Sequence, residues 1–167
     1  MRVGLGYDSH RFDPDTPCIL GGVLIPDHAG LKGHSDGDAI CHAVIDAVLG
    51  AAGLGDVGSH FPPSDDTWKG ADSLELLRKA VWVLEGQNYQ VVNVDVTVVC
   101  ETPKIGPHVA AIREKLGAVL GVGPGFVSVK GKTNEKMGWI GAGEGLAVHT
   151  VALVDRIAGG DTPDEGR

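Results

Sequence analysis

Paired cysteines are missing from this 167-residue sequence. The three present, Cys18, Cys41 and Cys100, are odd in number, far apart and form no C-x-x-C pair. That spacing argues against a disulfide framework or a thiolate metal site and for a reducing compartment. Long apolar runs are also missing: none approaches the roughly 18 residues needed to cross a bilayer. The start, MRVGLGYDSH, lacks a basic region followed by an apolar run, so no signal peptide is expected. Positive charge is in deficit: 14 Lys and Arg face 22 Asp and Glu, a net charge of −8, which excludes a broad nucleic-acid surface. Aromatic residues make up only 5%, whereas 26 glycines and 9 prolines imply many tight turns. The expectation is a soluble cytoplasmic protein with one domain over residues 1–155 and a flexible C-terminal tail over 156–167, long enough to bury a core.

The pattern along the chain alternates strands and helices. RVGLGYDSH reads as a short glycine-containing strand, and CILGGVLIP as a hairpin turning at Gly-Gly. HSDGDAICHAVIDAVLGAAG reads as a helix capped by Ser35 or Asp36 and ended by Gly50 and Gly53. DSLELLRKAVWVLEG is a second helix with Asp72 and Glu75 at capping-box spacing and an apolar stripe of Leu74, Leu77, Val81 and Leu84. In VVNVDVTVVC, Val92, Val94, Val96 and Val98 share one face of a strand. A third helix follows in PHVAAIREKLGAVLG, then the strand FVSVKGK and a last strand, GLAVHTVALVD. Strand, helix and strand between Val91 and Lys132 form a parallel crossover unit. The fold class is α/β, with α+β character: a mixed β-sheet with helices packed on one face. The other face is expected to carry Val127, Val129, Val148 and Val151, which self-association would cover.

Chemistry-bearing residues gather in four places. Asp8 and His10, two apart on a strand, share one face; alone, such a pair is better explained as a buried polar pair satisfied by local hydrogen bonds. The first helix adds Asp38, His42 and Asp46 at i, i+4 and i+8, on a stripe separate from the apolar one. His42 beside Asp8 and His10 would give two imidazoles and a carboxylate, a set that holds Zn²⁺ with one position open; ferrous iron uses a similar triad. Asp46 would either orient the His42 ring or be a solvated acid. GLGDVG at Gly53–Gly58 matches the letters of a dinucleotide fingerprint but follows a helix and precedes SHFPPSDD, so it is a glycine-rich loop, in which Asp56 could accept from sugar hydroxyls. CETPKIGP at Cys100–Pro107 is a strand-to-helix connection that could read a base edge. KGKTNEKMGWIGAGEG at Lys130–Gly145 brings Thr133, Glu135 and lysines together, a set suited to a phosphate and Mg²⁺.

Together, G-Y-D-S-H, the G-G-V-x-I-P hairpin, H-S-D-G-D-A with His42, G-D-V-G with F-P, K-G-A-D-S, N-V-D-V-T and T-N-E-K-M-G with G-E-G make the chain resemble the 2-C-methyl-D-erythritol 2,4-cyclodiphosphate synthases from Arg2 to about Asp155. The resemblance implies a homotrimer, with the subunits' sheets meeting around a trimer axis and active sites at subunit interfaces. It implies intramolecular attack of the 2-phosphate of 4-diphosphocytidyl-2-C-methyl-D-erythritol 2-phosphate on the β-phosphorus, expelling CMP, in the non-mevalonate isoprenoid pathway.

The same resemblance matches Asp8, His10 and His42 to the ligands of Zn²⁺ or another divalent transition metal, and Glu135 to a ligand of Mg²⁺ or Mn²⁺. His34 and Thr133 match the groups that stabilise the transition state. Substrate contacts are implied for Ser35, Asp56, Val57, Gly58, Phe61, Asp65, the loop Cys100, Glu101, Thr102, Pro103, Lys104, Ile105 and Gly106, and for Lys132, Asn134 and Trp139. Ala142 and His149 depart from the Arg and the acid common in the family at positions towards an axial cavity. A metal-dependent phosphohydrolase and a trimeric nucleotide-binding regulator are the rival readings; product analysis separates the first from the synthase, and tight cytidine-nucleotide binding with no product would mark the second.

Overall fold

The structure, a computed structural model, describes residues 1–157; positions 158–167, most of the expected tail, lie outside the described residues. Five strands form one mixed sheet: β1 (Arg2–Leu20), β2 (Val23–Leu31), β3 (Tyr89–Val99), β4 (Val127–Lys132) and β5 (Gly145–Arg156), in the order β2-β1-β5-β3-β4. Only β3 and β4 run parallel, as the crossover between them requires; the final strand β5 inserts antiparallel between β1 and β3. The helices are α1 (Ala39–Ala52), α2 (Val57–His60), α3 (Ser73–Gly86), α4 (Val109–Leu120) and α5 (Gly138–Gly141). The fold is thus the mixed α+β sheet expected.

Strand β1 is longer than the sequence suggested. Its first half, Arg2–Arg11, pairs with β5, and its second half, through a bulged stretch between Asp13 and Cys18, forms the hairpin with β2. Gly21 and Gly22 turn that hairpin with φ of 58° and 72°, a left-handed pair that matches the twist of the strands. Asp38 fastens this turn to α1. Its buried carboxylate caps the helix, accepting from the N–H groups of Ile40 and Cys41 at 3.1 Å, and also accepts from Gly21 (2.8 Å) and Gly22 (2.6 Å). The cap is therefore Asp38, not Ser35 or Asp36. Asp38 consequently stands before the stripe that carries His42 and Asp46 rather than on it.

Helix α1 lies directly on β1. Gly4 and Gly6 face it, and a Cβ at either would overlap the carbonyl oxygens of Ala47 and Ala43. Ala43, Ala47 and Ala51 supply the matching small side of the helix. Strand alternation then sets every other residue. Asp8 and His10 point the same way as Gly4 and Gly6, towards α1, while Val3, Leu5 and Tyr7 point out at 68, 69 and 50% exposure.

The same alternation corrects the expected free face. Val127, Val129 and Val148 are buried in the core beneath the helices, and only Val151 is half open. Buried Val91 rather than Val92 joins Val94, Val96 and Val98, because a bulge between Val91 and Asn93 shifts the register. Leu74 is only partly buried; Leu76 takes its place beside Leu77, Val81 and Leu84. The free face itself is split. Across β1 and β5 it is apolar, through Val3, Leu5, Tyr7 and Val151. Across β3 and β4 it is polar, with an Asp95–Lys130 pair at 2.6 Å. Arg156 closes β5, and the N–H of Ile157 donates to the Asn88 carbonyl at 2.9 Å, so the first residues of the expected tail are anchored.

Candidate metal centre and substrate pockets

Asp8 and His10 on β1 and His42 on α1 meet where the helix is pressed against the strand. Each offers one ligand atom, and these atoms all lie within 4.8 Å of one another. Asp8 Oδ2 is 2.8 Å from His10 Nε2 and 3.0 Å from His42 Nδ1. The outer ring nitrogens are occupied: His10 Nδ1 lies 2.6 Å from the Lys32 carbonyl, and His42 Nε2 lies 3.0 Å from both Ser35 Oγ and Ser73 Oγ. The inward atoms are therefore an Nε2, an Nδ1 and a carboxylate oxygen. Two imidazoles and one carboxylate, each turned inward by a bond behind it, fit a divalent transition metal with an open position.

Electrostatics agree. Burial opposes charge on Asp8, but hydrogen bonds from His10 and His42 prevail and hold its carboxyl well below the usual carboxylate range. Burial likewise works against charge on His10, yet the Asp8 carboxylate raises its pKa above the ordinary imidazole value.

A cavity of about 180 Å³ opens over this triad. His34, Ser35, Val57, Gly58 and Phe61 line it together with Asp8, His10 and His42, so five of the expected positions converge on the triad there. His34 Nε2 is buried with no hydrogen-bond partner among the described residues, so it has hydrogen-bonding capacity open to a ligand. Trp68, which the sequence reading passed over, stacks edge-on against Phe61 at 5.1 Å and closes the same wall.

Asp56 and Asp65 sit beside the cavity and cap local turns. Asp56 accepts from the Ser59 N–H at 2.8 Å, and Asp65 from the Thr67 N–H at 2.9 Å. Asp46 does not orient His42, whose ring nitrogens are already taken; it accepts from the Val57 N–H at 2.7 Å and so fixes the start of α2, where Val57 and Gly58 stand.

A second pocket, about 300 Å³, is lined by Cys100, Pro103, Lys104, Ile105, Gly106, Lys132 and Thr133. Burial pushes the Cys100 thiol up to about 11, so it is a wall and not a nucleophile. Glu101 and Thr102 do not line this pocket. Glu101 Oε1 accepts from the N–H groups of Asn134 and Lys136, both at 3.0 Å, and Thr102 Oγ1 lies 3.0 Å from His28 Nε2. Glu101 thus clamps the loop in which Glu135 and Lys136 hold φ of 50° and 60°. Thr133 donates to Glu135 at 2.7 Å, while the Asn134 side chain donates to the Met137 carbonyl at 2.8 Å. Trp139 lies elsewhere, in a cleft with Ser9, His10, Arg11 and Glu144.

Ser73 and Asp36 were missed as parts of the site. Ser73 stood in the K-G-A-D-S motif as a helix-start residue, and nothing local in the sequence tells that its hydroxyl reaches a histidine 31 positions away.

The comparisons point one way. The YgbB family model matches residues 1–155. A 2-C-methyl-D-erythritol 2,4-cyclodiphosphate synthase of Symbiobacterium thermophilum is 58% identical over 154 residues, covering 92% of this chain and 98% of that protein. One of Gemmatimonas aurantiaca is 56% identical, covering 92% and 93%. Among solved structures, the bifunctional IspDF from Campylobacter jejuni matches with a TM-score of 0.90 at 37% identity, over 93% of this chain and 42% of that one. A 2C-methyl-D-erythritol-2,4-cyclodiphosphate synthase in a CDP-bound form matches with a TM-score of 0.84 at 36% identity, over 92% of this chain and all of that one.

Proposed function

The chain belongs to the YgbB family, and on that premise we propose that it converts 4-diphosphocytidyl-2-C-methyl-D-erythritol 2-phosphate to 2-C-methyl-D-erythritol 2,4-cyclodiphosphate and CMP. An oxygen of the 2-phosphate forms a bond to the β-phosphorus. The bond from that phosphorus to the bridging oxygen breaks, and the electron pair leaves with CMP. No covalent enzyme intermediate is needed. The observation that carries this reading is the triad of Asp8, His10 and His42, open to the cavity that His34 and Ser35 also line.

We assign Zn²⁺, or another divalent transition metal, to that triad and Mg²⁺ or Mn²⁺ to Glu135. Bound there, these ions would neutralise the two anionic phosphates that must approach each other. The protein's own part is to hold the reactants in line. His34, with its free buried Nε2, donates to a phosphate oxygen; Thr133 and Lys132 do the same from the far side; the Cys100–Gly106 loop takes the cytosine, and Asp56 and Gly58 the ribose. The triad also suits hydrolysis, but the second pocket gives a nucleotide leaving group somewhere to sit.

We further propose that the working unit is a homotrimer. Within one chain the two pockets lie at the same end of the sheet, but β5 and β3 separate β1 from β4, roughly 14 Å at the usual strand spacing. Buried Leu146, Val148 and Val98 fill the space between. A neighbour's loop is what would bring the two half-sites together. The apolar flank of the free sheet face supports such an assembly. The three free, buried cysteines accord with work in the cytoplasm. Incubation with the diphosphocytidyl substrate, followed by ³¹P NMR, tests the reaction: the cyclic diphosphate and CMP in equal amounts are expected. Inorganic phosphate or a linear phosphate as product would overturn it.

A further inference from the structure

We infer that Asp36 is a positioning residue for the metal centre, acting through Ser73 on the ring of His42. The inference rests on the metal-binding reading of Asp8, His10 and His42. Ser73 is fully buried at the start of α3. Its Oγ lies 2.5 Å from Asp36 Oδ1, 3.0 Å from His42 Nε2 and 3.2 Å from Ser35 Oγ. The Ser73 N–H donates to Asp36 Oδ2 at 3.0 Å, so the carboxylate grips this residue by both hydroxyl and backbone.

Hydrogen positions follow from what each group is able to do. An ionised carboxylate only accepts, so the single Ser73 hydroxyl hydrogen points to Asp36. The Ser73 lone pairs then face His42 Nε2. A bare Nε2 would set lone pair against lone pair at 3.0 Å, whereas an Nε2–H donates into them. With the proton held on Nε2, the lone pair of a neutral ring lies on Nδ1, the atom that faces Asp8 Oδ2. Asp36 thereby selects the tautomer that can ligate a metal without touching the metal site itself. Ser35 Oγ is a second acceptor for the same N–H and passes its own hydrogen to Ser73.

Replacing Asp36 with Asn disturbs this order. Oδ1 accepts from Ser73 Oγ and the Asp38 N–H, and Oδ2 from the Ser73 N–H, so an NH₂ at either place meets a donor. An NH₂ turned to Ser73 Oγ would also free the Ser73 hydrogen to point at Nε2, favouring the tautomer with hydrogen on Nδ1.

The test is a double-mutant cycle on the full chain, with zinc affinity measured by competition against a chelating indicator and melting temperature recorded in parallel. Ser73→Ala is expected to raise the zinc dissociation constant about ten- to hundredfold. Asp36→Asn should act comparably in the wild-type background but change affinity less than about twofold once Ser73 is Ala, because its route to His42 is gone. Unchanged affinity in Ser73→Ala, or an Asp36→Asn effect that persists undiminished in the Ser73→Ala background, would overturn the inference.

A measurement on the wild type covers variants that fail to fold. In the zinc-loaded protein, the His42 Nε2–H should give an NMR signal in slow exchange with water; exchange as fast as in free imidazole would also overturn it. If the wild type binds no zinc through His42, the metal reading fails and takes this inference with it. Zinc binding that is indifferent to Ser73 defeats this inference alone.

Discussion

Gly6 and Ala43 meet backbone to backbone: a Cβ on the glycine would overlap the carbonyl oxygen of the alanine on α1. This close approach is what carries His42 to Asp8. Gly6→Ala must lift the helix or bend the strand, and overpacking of this kind costs about 1–3 kcal/mol, occasionally more. Urea unfolding should show that loss. Zinc content should fall with it even where the variant stays folded, because the three ligands no longer share one point. A folded Gly6→Ala protein with full zinc content would show that the helix position is not what sets the site.

Asp38→Asn tests the junction between hairpin and helix. Both carboxylate oxygens accept from backbone N–H groups, Oδ1 from Gly21, Ile40 and Cys41 and Oδ2 from Gly22, so the amide's NH₂ must face a donor. Losing a buried acceptor and part of a helix cap together costs about 2–4 kcal/mol. Denaturant unfolding measures it, and a change below about 0.5 kcal/mol would contradict the role.

Glu101 separates positioning from charge. Its Oε1 alone accepts from Asn134 and Lys136, and a glutamine keeps such an oxygen. Glu101→Gln should therefore retain activity within a few fold. Glu101→Ala should lose about a hundredfold as the Glu135 loop relaxes, a loss comparable to removing one electrostatic contact at the transition state. Equal losses in both variants would mean that the negative charge itself is used.

Glu135→Gln leaves the loop clamp intact but offers a poorer ligand to Mg²⁺. Turnover should drop about a hundredfold, or about 3 kcal/mol, while zinc content and melting temperature stay near wild type. Wild-type turnover across a range of Mg²⁺ concentrations would leave Glu135 as a loop acid.

Leu5→Asp places a charge on the apolar flank of the free face, where Leu5 is 69% exposed in a single chain. The monomer should fold, since no core contact is lost. Light scattering should show a trimer for the wild type and smaller species for the variant, with activity falling in step. A wild-type monomer at working concentration would end the trimer proposal.

Much of this was legible beforehand because it follows from period and adjacency. Asp8 and His10 two apart, His42 on a helix and the crossover from β3 to β4 all show in spacing alone. What stayed hidden depends on contacts across long separations. Asp38 looked like one more acid on a helix stripe; only the fold brings Gly21 and Gly22 to it. Val148 looked free to face outward; only its pairing with Asp8 and Val98 shows that it turns inward. Glu101 looked like part of a base-reading loop, and its partners Asn134 and Lys136 lie beyond a whole helix and strand.

His10 and His42 are steadied in different ways. His10 Nδ1 is held by the main-chain carbonyl of Lys32, whereas His42 Nε2 is held by the side chains of Ser35 and Ser73. A carbonyl belongs to the chain whatever residue stands there. Position 32 is therefore free to gain, lose or reverse its charge without loosening the ligand behind it. Positions 35 and 73 have no such freedom. One half of the centre can tolerate mutation and tuning of its surroundings, and the other is tied to two hydroxyl groups.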